Sequence, residues 1–194
     1  MLIHKRRVAK KWGKRPEKAA ATTSFGPGQV SFQLNVNGQV QSVGCEPCLT
    51  LLQVLREQLG LTAAKQVCDR ATCGACTVLM NGKRVYACSI LAIDAQDGKI
   101  ETVESLAPGS TLTALQQAFI AADASQCGYC TPGFVMSATA FLADTPSPTR
   151  DDIRKGMCGN ICRCGTYAGI EEALLSMAKT VKRSALSSKR RKRG

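Results

Sequence analysis

The sequence predicts an α+β chain with a small sheet domain first and a bundle of short helices second. In the first half, apolar and polar residues alternate at 30–36, and the pairs Asn37-Gly38 and Asn81-Gly82 are strong signals for two-residue hairpin turns. After Pro108-Gly109 the spacing of apolar residues changes from two to about 3.6, which indicates helices. A chain of 194 residues has room for one or two small domains with their own cores.

The strand signals all lie in the first half. Alternation at 30–36 predicts a half-buried strand, and a returning strand follows at 40–43. A second hairpin is predicted between 77–80 and 85–87, and 100–103 can supply a last strand. Strand, hairpin, helix, loop and hairpin within so short a stretch predict a small α+β sheet domain.

Apolar residues at helical spacing predict one helix in the first half and four in the second. The first has Thr50 as N-cap and Gly60 as its C-terminal stop. In the second half, Thr149 is predicted to cap a helix that carries Asp151 and Asp152 in its first turn. Four short helices separated by turns predict a small helical bundle. The marker residues, in chain order, are Leu51, Leu52, Val54, Leu55 and Leu59; Leu112, Leu115 and Phe119; Phe134, Val135, Ala138, Phe141 and Leu142; Ile153 and Met157; and Ile170, Ala173, Leu174 and Met177.

These patterns divide the chain into four segments. A basic tail is predicted over 1–28, the sheet domain over 29–106, the helical domain over 107–181 and a second basic tail over 182–194. We expect the first tail to be disordered, and the basic ends in general to be solvated.

The net charge of +12 is concentrated at the two ends of the chain. Residues 1–18 carry eight Lys or Arg against Glu17 alone, and residues 179–194 carry eight and no acidic residue. The rest of the chain has 10 basic and 13 acidic residues. Basic tails can attract nucleic acid through its phosphates. However, no aromatic residue interrupts the run 189–193 and no groove-reading motif occurs, so we expect no nucleic-acid partner.

The sequence also predicts where the chain resides. No window approaches eighteen consecutive apolar residues, so we expect no transmembrane segment. Arg6-Arg7 is typical of a twin-arginine export signal, but residues 8–28 contain five basic residues and no apolar core. Cytoplasmic residence is therefore the expectation.

Eight of the eleven cysteines fall into two groups of four. The first group is Cys68, Cys73, Cys76 and Cys88; the second is Cys127, Cys130, Cys162 and Cys164. The spacing C-x4-C-x2-C with a later fourth cysteine is the plant-type ferredoxin pattern, which holds a two-iron, two-sulfur cluster. Small residues around Cys73 would let backbone N–H groups approach the cluster sulfurs, and Cys88 is predicted to lie on the following strand. The first group therefore predicts an electron-carrying iron–sulfur site.

The second group is less diagnostic by its spacing. Thr131-Pro132 reads as an N-cap followed by the first helical residue, and Gly165-Thr166 also precedes a helix. Both cysteine pairs would then lie at helix N-termini, which favour thiolates and a net-negative cluster. Because C-x2-C is also a zinc half-site, a zinc-stabilised, non-catalytic binding module is the alternative interpretation.

The remaining candidate residues predict no substrate chemistry on this chain. The single histidine, His4, excludes a two-histidine Rieske centre, and no Ser–His or Cys–His catalytic pair can be built. Cys45-x2-Cys48 could be a redox dithiol, and Cys158 could compete with Cys162 as a ligand. We expect all three of these additional cysteines to be free thiols without a ligand role.

Four stretches together resemble the iron–sulfur subunit of the molybdenum hydroxylases, the xanthine dehydrogenase and aldehyde oxidoreductase family. They are Thr50–Arg56, Cys68–Thr77, Gln126–Gly133 and Gly159–Cys164, and the similarity covers about residues 30–180. The resemblance implies a ferredoxin-like β-grasp domain followed by a four-helix domain, each with one 2Fe-2S cluster. It also implies that no residue of this chain is catalytic.

The same resemblance implies an assembly. A separate large subunit would bind molybdopterin, and Gln126 and Cys164 would approach it. Electrons would pass from the helical-domain cluster to the ferredoxin-type cluster, and then to FAD on a third subunit or to a cytochrome. The variant Gly165-Thr166-Tyr167 resembles the bacterial aldehyde- and isoquinoline-oxidising branches, so aldehyde oxidation is expected, with xanthine or N-heterocycle hydroxylation as the alternative. Export with a partner would place the chain in the periplasm instead.

Overall fold

The computed structural model describes residues 26–107, 109 and 111–178. The predicted basic tails lie outside this part of the chain, apart from residues 26–28. The described residues form one sheet in the first half and a set of helices in the second, which confirms the predicted mixture of sheet and helices. The exact domain boundaries stay a prediction.

Five strands form a single sheet in the order β2-β1-β5-β3-β4. Within this sheet, β1 and β5 pair in parallel, and the other neighbouring strands pair antiparallel. The last strand is shorter than predicted, because Val103–Ser105 forms a 3₁₀ turn instead of continuing the ladder. The strands are β1 (Val30–Val36), β2 (Gln39–Cys45), β3 (Thr77–Met80), β4 (Lys83–Tyr86) and β5 (Lys99–Glu101).

Both predicted hairpin turns are confirmed. Asn37 and Gly38 have φ of 53° and 77°, and Asn81 and Gly82 have φ of 54° and 73°, as a type I′ turn requires. The Asn37 side chain also accepts a hydrogen bond from the backbone N–H of Thr102 at 2.9 Å. The first turn is therefore fixed to the end of the central strand β5.

One helix packs beneath the sheet, as predicted. Helix α1 (Leu51–Gln53) continues into a π-helical turn, Val54–Gln58, and its apolar side chains are fully buried in the core of the sheet half. Thr50 caps it: its hydroxyl accepts from the N–H of Gln53, whose side chain accepts from the N–H of Thr50.

In the second half, the described residues form four helices. They are α2 (Ala114–Ala121), α3 (Thr131–Asp144), α4 (Arg150–Gly156) and α5 (167–178). Leu112 was expected in α2 but precedes it, because Thr113 forms a capping box with Gln116 and thereby starts the helix one residue after itself.

Helix α4 is fixed at both ends by polar contacts. Its predicted N-cap, Thr149, is confirmed, and hydrogen bonds from the Thr149 side chain and backbone lower the pKa of Asp152. Arg150 and Arg154 both pair with the nearly buried carboxylate of Glu171 on α5, the second at 3.0 Å. These two ion pairs join α4 to α5.

Each half has its own apolar core, and a third small cluster joins them. The joining cluster consists of Leu79 on β3 with Met136 and Ala140 on α3. Helix α3 therefore packs on the sheet as well as on its neighbouring helices, and its N-terminal end lies beside the loop that precedes β3.

Candidate metal centres

The first cysteine group lies at one end of the sheet. Cys68 and Cys73 are on the loop between α1 and β3, and Cys76 directly precedes β3. The prediction that Cys88 lies on a strand is wrong, since β4 ends at Tyr86 and Cys88 is in the 3₁₀ turn Ala87–Ser89. The backbone N–H of Ala87 donates to the carbonyl of Cys76 at 3.2 Å, so this turn brings Cys88 next to Cys76.

The thiols of this group act on one another's pKa. The Cys73 side chain lowers the pKa of Cys68, and Cys88 and Cys73 act on that of Cys76. Burial raises the pKa of Cys76 to about 12, and Cys88 adds to this effect. Burial also opposes ionisation of Cys68, but hydrogen bonds from Thr72 and the backbone of Arg70 outweigh it and lower the pKa to about 6.

Backbone N–H groups of the loop point at cysteine sulfurs. Ala71 donates to Cys88 Sγ at 3.2 Å, and Thr72 donates to Cys68 Sγ at 3.4 Å. Asp69 and Ala71 take left-handed backbone conformations, with φ of 53° and 56°. The loop thus curls around the thiols, and its N–H groups donate hydrogen bonds to two of their sulfurs.

The second cysteine group lies where two helices begin. Cys127 and Cys130 precede α3, and Cys162 and Cys164 precede α5, as the sequence predicted. The predicted cap is displaced by one residue, because α3 begins at Thr131 with Cys130 in the N-cap position. The Thr131 hydroxyl hydrogen-bonds Ser125 Oγ at 3.0 Å instead of capping the helix.

The thiols of the second group also act on one another's pKa. The Cys164 side chain lowers the pKa of Cys127, and the Cys162 side chain raises that of Cys130. Burial raises the pKa of Cys130 to about 12, and the Cys162 thiol adds to the effect. Burial opposes ionisation of Cys162, but hydrogen bonds from Thr166 outweigh it and lower the pKa to about 7. Each group therefore contains at least one thiol with a lowered pKa and at least one with a raised pKa.

The two groups differ in exposure. Cys76 and Cys88 are buried in the first group, whereas Cys127 and Cys164 are both exposed in the second. Gln126, next to Cys127, is exposed on the same loop. The second group is therefore open to solvent on the side where Gln126 lies.

The donor chemistry of both groups suits an iron–sulfur cluster. Each brings four thiols together, which is the ligand set of a two-iron, two-sulfur cluster, and the first adds backbone donors toward sulfur. Within the described part of the chain, no three His, Cys, Asp or Glu side chains are arranged to hold a single metal ion.

The other three cysteines lie elsewhere on the fold, and their predicted lack of a ligand role stays a prediction. Cys45 is buried at the end of β2, and Cys48 is exposed and donates to the Glu46 carboxylate at 3.6 Å. Cys158 is exposed, and it adds to the effect of burial, which raises the pKa of the Tyr86 hydroxyl.

Sequence reasoning missed Asn160, which is buried at the junction of the two halves. Its amide donates to the Gly74 carbonyl at 2.9 Å, and its oxygen accepts from Ser137 at 2.6 Å. The only available signal was its place within the stretch Gly159–Cys164, which by itself indicated no partner.

Two domain families match almost all of the described chain. Residues 34–102 match the 2Fe-2S iron-sulfur cluster binding domain, and residues 102–175 match the [2Fe-2S] binding domain. The nicotinate dehydrogenase small FeS subunit of Eubacterium barkeri is 44% identical over 146 residues, covering 75% of this chain and 93% of that protein. The aldehyde oxidoreductase iron-sulfur-binding subunit PaoA of Escherichia coli K12 is 41% identical over 171 residues, covering 80% and 75%.

The chain belongs to the iron–sulfur subunit family of the molybdenum hydroxylases.

Solved structures of molybdenum hydroxylases have the same fold. Quinoline 2-oxidoreductase from Pseudomonas putida 86 contains a chain that is 39% identical, with a TM-score of 0.76, covering 80% of this chain and 97% of that one. Family membership confirms two 2Fe-2S-binding domains on this chain and its role as an electron-transferring subunit of an oxidoreductase. Among the described helices, none is both long and apolar enough to cross a membrane.

Proposed function

We propose that this chain carries electrons away from a molybdopterin site on a large partner subunit, through two 2Fe-2S clusters, to FAD on a further subunit or to a cytochrome. The observation that carries the proposal is the pair of four-thiol groups, one at the end of the sheet and one between two helix starts. The sheet half would be the ferredoxin-like β-grasp domain, a reading supported by its strand order. The second half would be the four-helix domain.

The ligand assignment is part of this proposal. Cys68, Cys73, Cys76 and Cys88 would hold one cluster, and Cys127, Cys130, Cys162 and Cys164 the other. When bound, such a cluster takes up and releases single electrons. The chain's own residues would hold it in place: N–H donors of the first loop stabilise negative sulfur, and the N-termini of α3 and α5 supply partial positive charge beside the second group.

The exposure of the second group supports an order of transfer. Because Cys127 and Cys164 reach the surface beside Gln126, this is the edge that a molybdopterin-binding subunit would cover. Gln126 and Cys164 would then be the residues nearest to the pterin. The first group, in which Cys76 and Cys88 are buried in the core of the sheet half, would receive electrons second.

Elemental analysis tests the cluster content. The purified chain, reconstituted without oxygen, is expected to contain about four iron and four acid-labile sulfide, since each of two clusters has two of each. Zinc in place of iron, with no sulfide, would contradict the proposal and support the zinc-stabilised binding module. Electron paramagnetic resonance after reduction with dithionite should show two distinct signals.

For the substrate of the assembly we propose an aldehyde. The support is the similarity to the PaoA aldehyde oxidoreductase subunit and the variant Gly165-Thr166-Tyr167 that follows the second group. N-heterocycle hydroxylation is the second candidate, because the nicotinate dehydrogenase subunit is 44% identical and the quinoline enzyme's chain 39% identical to this chain. Cytoplasmic residence remains our proposal, with export alongside a partner as the alternative.

The substrate can be tested by measuring the activity of the intact complex. We expect the complex purified through this chain to reduce an artificial electron acceptor faster with an aromatic aldehyde than with nicotinate or xanthine, each compared by kcat/KM. A higher kcat/KM for nicotinate or xanthine would contradict the aldehyde assignment and leave the electron-transfer role of this chain unaffected.

A further inference from the structure

The loops that carry the two cysteine groups are hydrogen-bonded directly to each other. The backbone N–H of Ile161, next to Cys162 of the second group, donates to the carbonyl of Cys73 in the first group at 2.9 Å. In the neighbouring residue of each loop there is a second contact: the Asn160 side-chain amide donates to the Gly74 carbonyl at 2.9 Å. Two parallel hydrogen bonds therefore connect the ligand loop of one half to that of the other.

Asn160 also connects this contact to the scaffold. Its oxygen accepts from Ser137 on α3, and its amide reaches Thr77 Oγ1 at the start of β3 at 3.3 Å. The Thr77 hydroxyl in turn donates to the Gly74 carbonyl at 2.6 Å. Asn160 is only 5% exposed, so these bonds form away from water, where an unpaired amide would be costly.

Close packing leaves the two loops no room to slide. A Cβ on Gly74 would lie 2.5 Å from the Gly159 carbonyl oxygen, and a Cβ on Gly133 would lie 2.4 Å from the Gly74 carbonyl oxygen. The hydroxyl of Tyr86 on β4 donates to the same Gly159 carbonyl at 2.8 Å. The network is therefore a rigid junction and not a flexible surface contact.

We propose that Asn160 is a positioning residue that fixes the distance and the electronic coupling between the two cysteine groups. The inference rests on the proposed function. Tunnelling rates fall steeply with distance and rise when a covalent and hydrogen-bonded path replaces a gap. The path here runs from Cys73 through its carbonyl and the Ile161 N–H to Cys162. When both groups hold a cluster, one electron would pass from one to the other along this path; no bond would be made or broken and no proton would move.

The test measures the magnetic interaction between the two reduced clusters in the full chain. In the unmodified protein reduced with excess dithionite, we expect magnetic coupling between the two clusters. At low temperature this coupling should split the two paramagnetic signals or shorten their relaxation times. In Asn160→Ala we expect both signals at full intensity, with most of the splitting lost because the loops separate. Asn35→Ala, on β1 and separated from β3 by β5, is the matched control and should keep the splitting.

A second variant covers the case in which Asn160→Ala does not fold. Asn160→Asp has nearly the same volume and can still accept from Ser137, but its carboxylate cannot donate to the Gly74 carbonyl, so the splitting should fall as in the alanine variant. Two full signals with unchanged splitting in either variant would overturn the role of Asn160 and leave the proposed function standing. An unmodified protein without two cluster signals would instead overturn the proposed function, and this inference with it.

Discussion

Cys162→Ser is expected to remove the cluster of the helical half and leave that of the sheet half in place. Cys162 is buried, its sulfur is hydrogen-bonded to Thr166, and its pKa is lowered to about 7, so the thiolate is accessible at neutral pH. Serine offers a harder oxygen that is a poor ligand for iron–sulfur clusters. We expect the iron and sulfide content to fall by about half, with one of two paramagnetic signals lost.

Cys158→Ser is the matched control, since it makes the same atomic change four residues earlier on an exposed side chain. It should retain full iron content and both signals. Loss of the second signal in Cys158→Ser together with its retention in Cys162→Ser would show that the ligand assignment in the helical half is wrong. The corresponding change at Cys76 should remove only the other signal.

Gly133→Ala is expected to destabilise the protein although alanine is the better helix former. A Cβ at this position in the first turn of α3 would lie 2.4 Å from the Gly74 carbonyl oxygen, and backbone atoms cannot move aside without displacing the ligand loop. Overpacking costs about 1–3 kcal/mol and the better helix propensity of alanine offsets about 1 kcal/mol of this, so we expect a net loss of up to about 2 kcal/mol.

The unfolding midpoint in urea, measured on the cluster-loaded protein, reports this loss. Gly44→Ala on β2 makes the same substitution where the nearest atom, Ser31 Oγ, would be 3.7 Å away, so its midpoint should stay close to that of the unmodified protein. A Gly133→Ala protein as stable as the Gly44→Ala protein would show that α3 can shift away from the loop, contrary to the rigid junction described above.

Local chemistry explains which parts of the fold could be predicted from the sequence. The Asn37-Gly38 turn is encoded by two residues that tolerate positive φ, and Thr50 or Thr149 can cap a helix with partners three residues away. The first cysteine group could be recognised in the sequence, because its spacing is the plant-type ferredoxin pattern, whereas the spacing of the second group was less diagnostic. The ligand identities themselves stay predictions.

The structure differs from the prediction where contacts between residues far apart in the sequence determine the local conformation. The strand before Cys88 ends early because the backbone N–H of Ala87 donates to the carbonyl of Cys76. Helix α3 begins one residue earlier than predicted because the Thr131 hydroxyl is hydrogen-bonded to Ser125 and does not cap the helix. Asn160 was missed because its partners Gly74 and Ser137 are 86 and 23 residues away along the chain. No periodicity or short motif records such a contact.

The exposure of Cys127 and Cys164 has a consequence for how the protein matures. Dissolved oxygen and peroxides can reach both thiols, and their oxidation to a disulfide would deprive the second group of two of its four sulfurs. Under the proposed assembly the partner subunit covers this edge, so iron and sulfide have to be delivered before the subunits dock. A subunit purified alone in air should therefore lose metal from its helical half earlier than from its sheet half.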